Sequence, residues 1–243
     1  MEKPELVIFD MDGLMFDTGQ LAYRAYLECA KDFDFTVNHS VYYYLTGRRD
    51  PEIRGGMKEL YGKDVPVSEW RDKIILSREK ILSEEKRVYK KKGLLELLEF
   101  LKKNNYKIAL ASSTSRDKIQ YYFEIEDMPD IFDVIVAGDE VHNGKPNPEI
   151  FLKACEKANV SPEHALVLED SIVGIKAAMQ GNITPFLIPD DISNLPTHKG
   201  KYPLLKNPEE FLIRKPENVE TFKDLLEVRD YLKQYFMRDQ EFN

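Results

Sequence analysis

Five short runs of apolar residues predict the strands of one sheet. They cover residues 6–9, 107–111, 133–137, 165–168 and 184–188. Each run is a nearly continuous series of apolar residues and does not alternate with polar ones, as is typical of strands buried on both faces of a parallel sheet. Helical spacing of apolar residues separates the last four runs. This alternation predicts βαβ units and therefore a doubly wound, Rossmann-like α/β fold.

The stretch between the first and second runs has a different pattern. Residues 17–87 contain no strand pattern. They contain four segments rich in charged residues with a helical pattern, at 21–32, 41–45, 51–61 and 68–85. A connection of about 70 residues is far too long for a simple crossover. We therefore predict an inserted all-helical cap domain at 17–87, with hinges near 15–19 and 85–92. The core is then formed by 1–16 and 88–214.

The last segment, 215–243, is predicted to be a helical extension. An apolar stripe at helical spacing is formed by Phe222, Leu225, Leu226, Leu232 and Phe236. Packing on the chain's own core is the simpler interpretation, and a dimer contact is the alternative. We expect a monomer or a weak homodimer.

Composition narrows the class of protein. The 243 residues are 42% hydrophobic, which is enough to form a core, and the formal net charge of −8 argues against a nucleic-acid polymer as partner. The two cysteines, Cys29 and Cys155, exclude a disulfide scaffold and fit a reducing cytoplasm. The apolar run near the N-terminus is too short for a signal peptide or a membrane span. We expect a cytoplasmic enzyme with no membrane partner.

Polar residues follow four of the predicted strands at their carboxyl ends, where doubly wound folds bind ligands. They are Asp10 and Asp12, then Ser112, Ser113 and Thr114, then Asp139 and Lys145, and finally Glu169, Asp170 and Ser171. Taken singly, each set has a plainer explanation as a solvated turn, a helix cap, a surface lysine or an acidic helix start. Four such sets at successive strand ends instead predict one shared site.

The combination suits phosphoryl transfer. A carboxylate can attack phosphorus, and a divalent metal such as Mg²⁺ offsets the repulsion between the two anions. Charge in the transition state requires a cation and hydrogen-bond donors, which Lys145 and Ser112 supply. A second acid/base must protonate the leaving oxygen and then activate water. Asp12 points the same way as Asp10 along an extended chain and can do this.

The sequence resembles the haloacid dehalogenase superfamily, in particular the branch of β-phosphoglucomutase and small-metabolite phosphatases. The matching strings are LVIFDMDGLMFDT (6–18), IALASST (108–114), GKPNPEIF (144–151) and LVLEDSIVGIKAA (166–178). They occur in the family's order from one end of the core to the other. The helical block resembles the family's cap, which closes over the substrate.

The resemblance implies a role for each motif residue. Asp10 would be the nucleophile and Asp12 the acid/base, while Ser112 and Lys145 would hold the phosphoryl group, with Ser113 as a further phosphate-binding candidate. Magnesium would be bound by Asp10, the main-chain oxygen of Asp12 and Asp170, with Glu169 nearby.

Three other functions are compatible with parts of this sequence. Haloacid hydrolysis is disfavoured because that branch lacks the second aspartate, Asp12. A phosphosugar mutase would carry a histidine where this chain has Ala22, although Arg48 and Arg49 in the cap partly keep the mutase loop and are candidate substrate contacts. A non-catalytic binding module on this fold would have lost Asp10, Lys145 or Asp170. We therefore predict a Mg²⁺-dependent phosphatase of a small sugar phosphate or nucleotide.

Overall fold

A computed structural model describes residues 3–47, 50–211 and 215–241, with side chains omitted at 211 and 235–241. The strands are β1 (Leu6–Phe9), β2 (Lys107–Ala111), β3 (Val134–Val136), β4 (Ala165–Glu169), β5 (Thr184–Leu187) and β6 (Glu220–Thr221). The α-helices are α1 (Thr18–Phe33), α2 (His39–Leu45), α3 (Asp50–Tyr61), α4 (Val67–Glu85), α5 (Leu94–Lys103), α6 (Arg116–Ile125), α7 (Glu149–Ala158), α8 (Ile172–Gln180) and α9 (Leu225–Glu241). All five predicted strands are present, and the predicted α/β fold is confirmed.

The chain divides into two compact units. Unit 1 comprises Met1–Asp17, Tyr89–Asp190 and Lys215–Asn243, and unit 2 comprises Thr18–Val88 and Asp191–Arg214. Each unit has its own buried apolar cluster.

Unit 1 is built on a parallel sheet with the strand order β3-β2-β1-β4-β5-β6. Phe9 at the end of β1 is level with Leu110 of β2 and Leu168 of β4, so the carboxyl ends of these three strands meet at one edge. Strand order reverses between β1 and β4, which is where doubly wound folds open a crevice for ligands. The four residues of β1 and the five of β4 are all buried, as their continuous apolar sequence predicts.

Unit 2 is helical and has an aromatic centre. Trp70 and Phe35 are fully buried and stacked, with their ring centroids 4.3 Å apart. The Phe35 ring also contacts Tyr202, at 4.9 Å between centroids, and Thr36 N donates to Tyr202 O. The chain around Tyr202 thus packs against the segment between α1 and α2 through backbone and ring contacts.

These boundaries differ from those predicted in two places. Residues 191–214, predicted to be core, join unit 2 because they pair with the chain around Phe35. The segment 215–243, predicted to be a separate extension, joins unit 1, because β6 pairs with β5 and α9 packs on α5. Leu225 and Leu232 of the predicted stripe are 1% exposed, whereas the Phe236 side chain lies outside the described residues.

The crossings between the units occur near the predicted hinges. Asp17 N donates to Tyr89 O, and Lys91 N donates to Met15 O. The outgoing and returning chains therefore lie side by side within unit 1. Of the helices in the described part of the chain, none has both the length and the apolarity to span a bilayer.

Candidate active site

Asp10 lies buried directly after β1 and meets a lysine from a different loop. Lys145 Nζ donates to Asp10 Oδ1 at 2.6 Å and to Glu169 Oε1 at 2.5 Å. All three side chains are at most 8% exposed. The end of β4 and the loops after β1 and β3 therefore bring one cation and two carboxylates into contact, as their positions at the strand ends predict.

Glu169 is held in place from its other side as well. Ser171 donates to Glu169 Oε2 through both its main-chain N–H and its hydroxyl, each at 2.8 Å. The Ser171 hydroxyl in turn accepts the N–H of Gly174 and caps α8. A Cβ at position 174 would overlap the Glu169 carboxylate, so the helix approaches this closely only with glycine there.

Asp12 is held by a hydroxyl from the loop after β2. Thr114 Oγ1 donates to Asp12 Oδ2 at 2.6 Å, and Thr114 N donates to the hydroxyl oxygen of Ser112 at 3.1 Å. Ser112 is fully buried, whereas Ser113 beside it is exposed. The orientation of Asp12 is therefore fixed by a residue that sequence reasoning recorded only as part of a polar set.

Asp170 completes an acidic cluster with Asp10 and Glu169. Each offers a carboxylate oxygen within 4.8 Å of the other two. A cluster of hard oxygen donors from two adjacent strands suits Mg²⁺, which prefers carboxylates and water. Lys145 and Ser171 already donate hydrogen bonds to the two Glu169 oxygens. Asp10 and Asp170 are therefore the carboxylates that could hold a cation directly, with Glu169 next to them.

Burial, together with the neighbouring charges, shifts the pKa values of these groups. Burial raises the pKa of Asp10 to about 7; the Lys145 charge opposes this rise and the Glu169 charge adds to it. Burial also raises the pKa of Asp170 well above its ordinary value, with Glu169 and Asp10 acting in the same direction. Burial alone lowers the pKa of Lys145, but the two carboxylates outweigh it and keep the pKa above the ordinary value. A divalent cation in the cluster would favour the ionised carboxylates.

The other predicted site residues fall outside this cluster. Arg48 and Arg49 lie outside the described residues. Asp139, in the segment after β3, accepts the N–H of Arg116 at the start of α6, so its carboxylate binds the N-terminus of that helix.

Sequence reasoning missed one carboxylate next to the site. Asp190 follows β5, is 4% exposed and binds Lys91. The predicted site residues follow the first four strands, and Asp190 has the same placement after the fifth. The signal was therefore present in the sequence.

Comparison with known proteins identifies related sequences. The sequence profile of the haloacid dehalogenase-like hydrolases matches residues 7–188. The chain is 36% identical over 184 residues to the phosphorylated carbohydrates phosphatase of Thermotoga maritima, covering 74% of this chain and 82% of that protein. It is 27% identical over 179 residues to the pyrophosphatase PpaX of Bacillus mycoides, covering 70% of this chain and 76% of that protein.

A solved structure shares the fold over nearly the whole chain. The crystal structure of β-phosphoglucomutase from Clostridium difficile superposes with a TM-score of 0.66 and 21% identity, covering 96% of this chain and 99% of that chain. At this identity the likeness shows the fold alone.

Proposed function

Because the chain belongs to the haloacid dehalogenase-like hydrolases, we propose that it is a phosphatase that hydrolyses a small sugar phosphate or nucleotide through an aspartyl-phosphate. The observation that carries the proposal is the contact of Asp10 with Lys145, beside an aspartate, Asp12, that is fixed by Thr114. This arrangement supplies a nucleophile, a cation and an acid/base within one small site.

In the first half of the reaction, a carboxylate oxygen of Asp10 attacks phosphorus. The bond from phosphorus to the ester oxygen breaks, and Asp12, in its protonated form, gives its proton to the leaving alcohol. Lys145 and the Ser112 hydroxyl bind the oxygens of the phosphoryl group as charge develops on them. The products are the alcohol and an aspartyl-phosphate on Asp10.

In the second half, the ionised Asp12 takes a proton from a water molecule that attacks the aspartyl-phosphate. Inorganic phosphate leaves, and Asp10 and Asp12 return to their starting states. Asp10, Asp170 and the main-chain oxygen of Asp12 are the groups that would hold Mg²⁺, with Glu169 behind them. Magnesium, when bound, supplies positive charge that offsets repulsion between the phosphate and the Asp10 carboxylate.

The helical unit favours hydrolysis over phosphosugar transfer. Position 22, where the mutase pattern has a histidine, is an alanine on α1 that packs partly buried against the apolar cluster of unit 2. Among the described residues, the four histidines lie elsewhere, at 39, 142, 164 and 198. The name of the Thermotoga maritima relative supports a phosphorylated carbohydrate as substrate.

A panel of sugar phosphates and nucleotides, assayed for released phosphate with and without Mg²⁺, tests the proposal. Asp10→Asn is expected to lower kcat by at least about 10³-fold, as loss of a nucleophile does. Asp12→Ala is expected to lower kcat by about 10²–10⁴-fold. Asp139→Asn is the matched control, because this aspartate also follows a strand but caps a helix. Its kcat should stay within about twofold of wild type.

Specific results would contradict the proposal. Full Mg²⁺-dependent turnover by Asp10→Asn would refute the nucleophile assignment, and unchanged activity of Asp12→Ala would refute its acid/base role. Conversion of β-glucose 1-phosphate to glucose 6-phosphate, in the presence of trace bisphosphate and faster than phosphate release, would establish a mutase. Absence of turnover across the panel would support a binding module.

A further inference from the structure

A second ionic network lies beside the acidic cluster and has no part in the proposed reaction. Lys91 Nζ is 2.6 Å from Asp190 Oδ1 and 3.5 Å from Asp17 Oδ1. The Asp190 side chain is 3% exposed, and that of Lys91 is 23% exposed. The free energy of desolvating such a pair is similar in size to the attraction between its two charges, so the pair adds little net stability. Its location next to the site therefore suggests a role beyond stability.

Asp190 is directed toward the acidic cluster by the sheet. Its loop follows β5, which pairs with β4 at Leu187 and Glu169, and Ile188 N donates to Glu169 O at 2.7 Å. The loops that carry Asp170 and Asp190 therefore leave the sheet side by side.

Gly13 shows how close these two carboxylates come. Its φ of +83° is in the left-handed region, and a Cβ there would overlap Asp170 Oδ2 and lie 3.3 Å from Asp190 Oδ2. The two carboxylates therefore approach the same side of the turn after Asp10. Asp190 Oδ1 faces Lys91, while Oδ2 faces Gly13 and Asp170.

Lys91 is held by the backbone as well as by its charge. Its N–H donates to Met15 O at 2.8 Å, and its neighbour Lys90 forms an antiparallel bridge with Phe16. The segment returning from unit 2 therefore places the ammonium group at a fixed point beside the turn after Asp10.

We propose that Asp190 is a positioning residue: its fixed negative charge strengthens binding of a divalent cation by Asp10 and Asp170, and Lys91 balances that charge and holds the carboxylate in place. The inference rests on the proposed function, since it takes Asp10 and Asp170 to be the cation ligands. Asp190 acts through the electric field, without itself binding the ion. A unit charge at a few ångströms from a dication remains significant even with strong screening.

Direct cation binding tests the role of Asp190. The probe is Mn²⁺, followed by the electron paramagnetic resonance signal of the free ion, with Mg²⁺ added as competitor. Asp190→Asn keeps the size of the side chain and an oxygen acceptor for Lys91. It is expected to weaken binding of both ions by about three- to tenfold. At saturating Mg²⁺, its kcat should remain within about twofold of wild type, because the catalytic groups are unchanged.

Two further variants separate charge from structure. Lys91→Met/Asp190→Asn removes both members of the pair and should bind Mn²⁺ more tightly than Asp190→Asn alone. Asp224→Asn is the matched control: Asp224 pairs with the next lysine, Lys92, at 2.7 Å, and an asparagine still caps α9. Its Mn²⁺ affinity should equal that of wild type.

The outcomes are distinct. Wild-type affinity in a folded Asp190→Asn protein would overturn the proposal while leaving the proposed function intact. Equal losses in Asp190→Asn and in the double variant would overturn the role of Lys91. A wild-type protein that binds neither ion would overturn both the inference and the proposed metal site. A thermal unfolding curve for each variant identifies any loss of affinity that is caused by misfolding.

Discussion

Single positions in the site depend on the absence of a side chain as much as on its presence. Gly174 is the sharpest example, because a methyl group there would occupy the space of the Glu169 carboxylate. Glu169 is the group that binds Lys145 on one side and Ser171 on the other. Displacement of Glu169 would therefore move the lysine that the proposed reaction uses.

Gly174→Ala is expected to lower kcat by about 10²-fold, since a shift of about 1 Å in a catalytic group has this effect. It should also reduce the free energy of unfolding by about 1–3 kcal/mol through overpacking. Gly55→Ala is the matched control: Gly55 is exposed on α3, and a Cβ there meets nothing within 4 Å. That change should stabilise the protein by about 0.5–1 kcal/mol with unchanged kcat. Equal activity of the two variants would contradict the packing argument.

Residue types and their positions after strands predicted most of the groups that meet in the cluster. Asp10, Lys145, Glu169 and Asp170 are charged residues directly after or near buried apolar runs, and such a placement is visible in sequence. The need for glycine at 174 could not be predicted, because it arises from the packing of α8 against a side chain of β4. The contact of Thr114 with Asp12 joins residues 102 positions apart and likewise depends on the folded sheet.

At the scale of elements, the loop that carries Lys145 is fixed by two glutamates. Glu140 pairs with Arg116 of α6 and with Lys157 of α7, and its main-chain oxygen accepts from Lys153. Glu149, at the start of α7, accepts the N–H groups of residues 142 and 143. The loop between β3 and α7 is therefore attached at both ends, which gives Lys145 a defined approach to Asp10.

Glu140→Gln is expected to destabilise the protein in a pH-dependent way. Burial alone raises the pKa of Glu140, but hydrogen bonds from Lys157 and Arg116 outweigh it and lower the pKa from 4.5 to about 2. The stabilisation is therefore complete above about pH 4.5 and is lost as the pH falls toward 2. After allowance for partial exposure, the difference in unfolding free energy should be about 1–2 kcal/mol at pH 6.

Urea unfolding of wild type and Glu140→Gln at pH 6 and pH 3 measures this difference. It should be clearly smaller at pH 3. Glu99→Gln is the control, since Glu99 pairs with Lys103 on the exposed face of α5, where both side chains are about two-thirds exposed or more. A difference for Glu140→Gln that is the same at both pH values would show that its ionisation does not matter for folding.

Elements with a strong periodic pattern were predictable, and elements without one were not. The five strands of the core coincide with runs of mostly apolar residues, of which β1 and β4 are wholly buried, so their sequence carries the signal. Strand β6 has two residues, Glu220 and Thr221, both exposed, and it forms only because the chain returns to the edge of β5. Its existence follows from chain path and not from residue pattern.

At the scale of the whole molecule, the chain enters unit 2 twice. The first visit, α1 to α4, has a clear helical pattern and was predicted. The second, residues 191–214, has no such pattern, and its place is set by contacts such as that of Phe35 with Tyr202, 167 positions later. Long-range pairing of this kind is invisible to local periodicity, which is why the predicted boundary at 214 differs from the structure.

Because unit 2 is formed by two separate segments of the chain, its peptides should lose protection together in hydrogen exchange. Phe35→Ala removes a fully buried ring from unit 2 and should speed exchange in α4 and around Tyr202. Leu225→Ala removes a side chain that is 1% exposed from α9 of unit 1. It should speed exchange in α5, which α9 contacts, and in β5. Each truncation is expected to lower the free energy of unfolding of its own unit by about 2–5 kcal/mol, as large-to-small changes in a core do.

Mass spectrometry of exchanged peptides gives the measurement, with Leu95→Ala as the control. Leu95 is also a leucine of unit 1 but is 42% exposed on α5, so its loss should change protection little. The deciding peptide is the one around Tyr202, because its sequence lies between β5 and β6. If residues 191–214 belong to unit 2, this peptide responds to Phe35→Ala and not to Leu225→Ala. The reverse response would place the segment with the sheet, as the sequence pattern alone suggested.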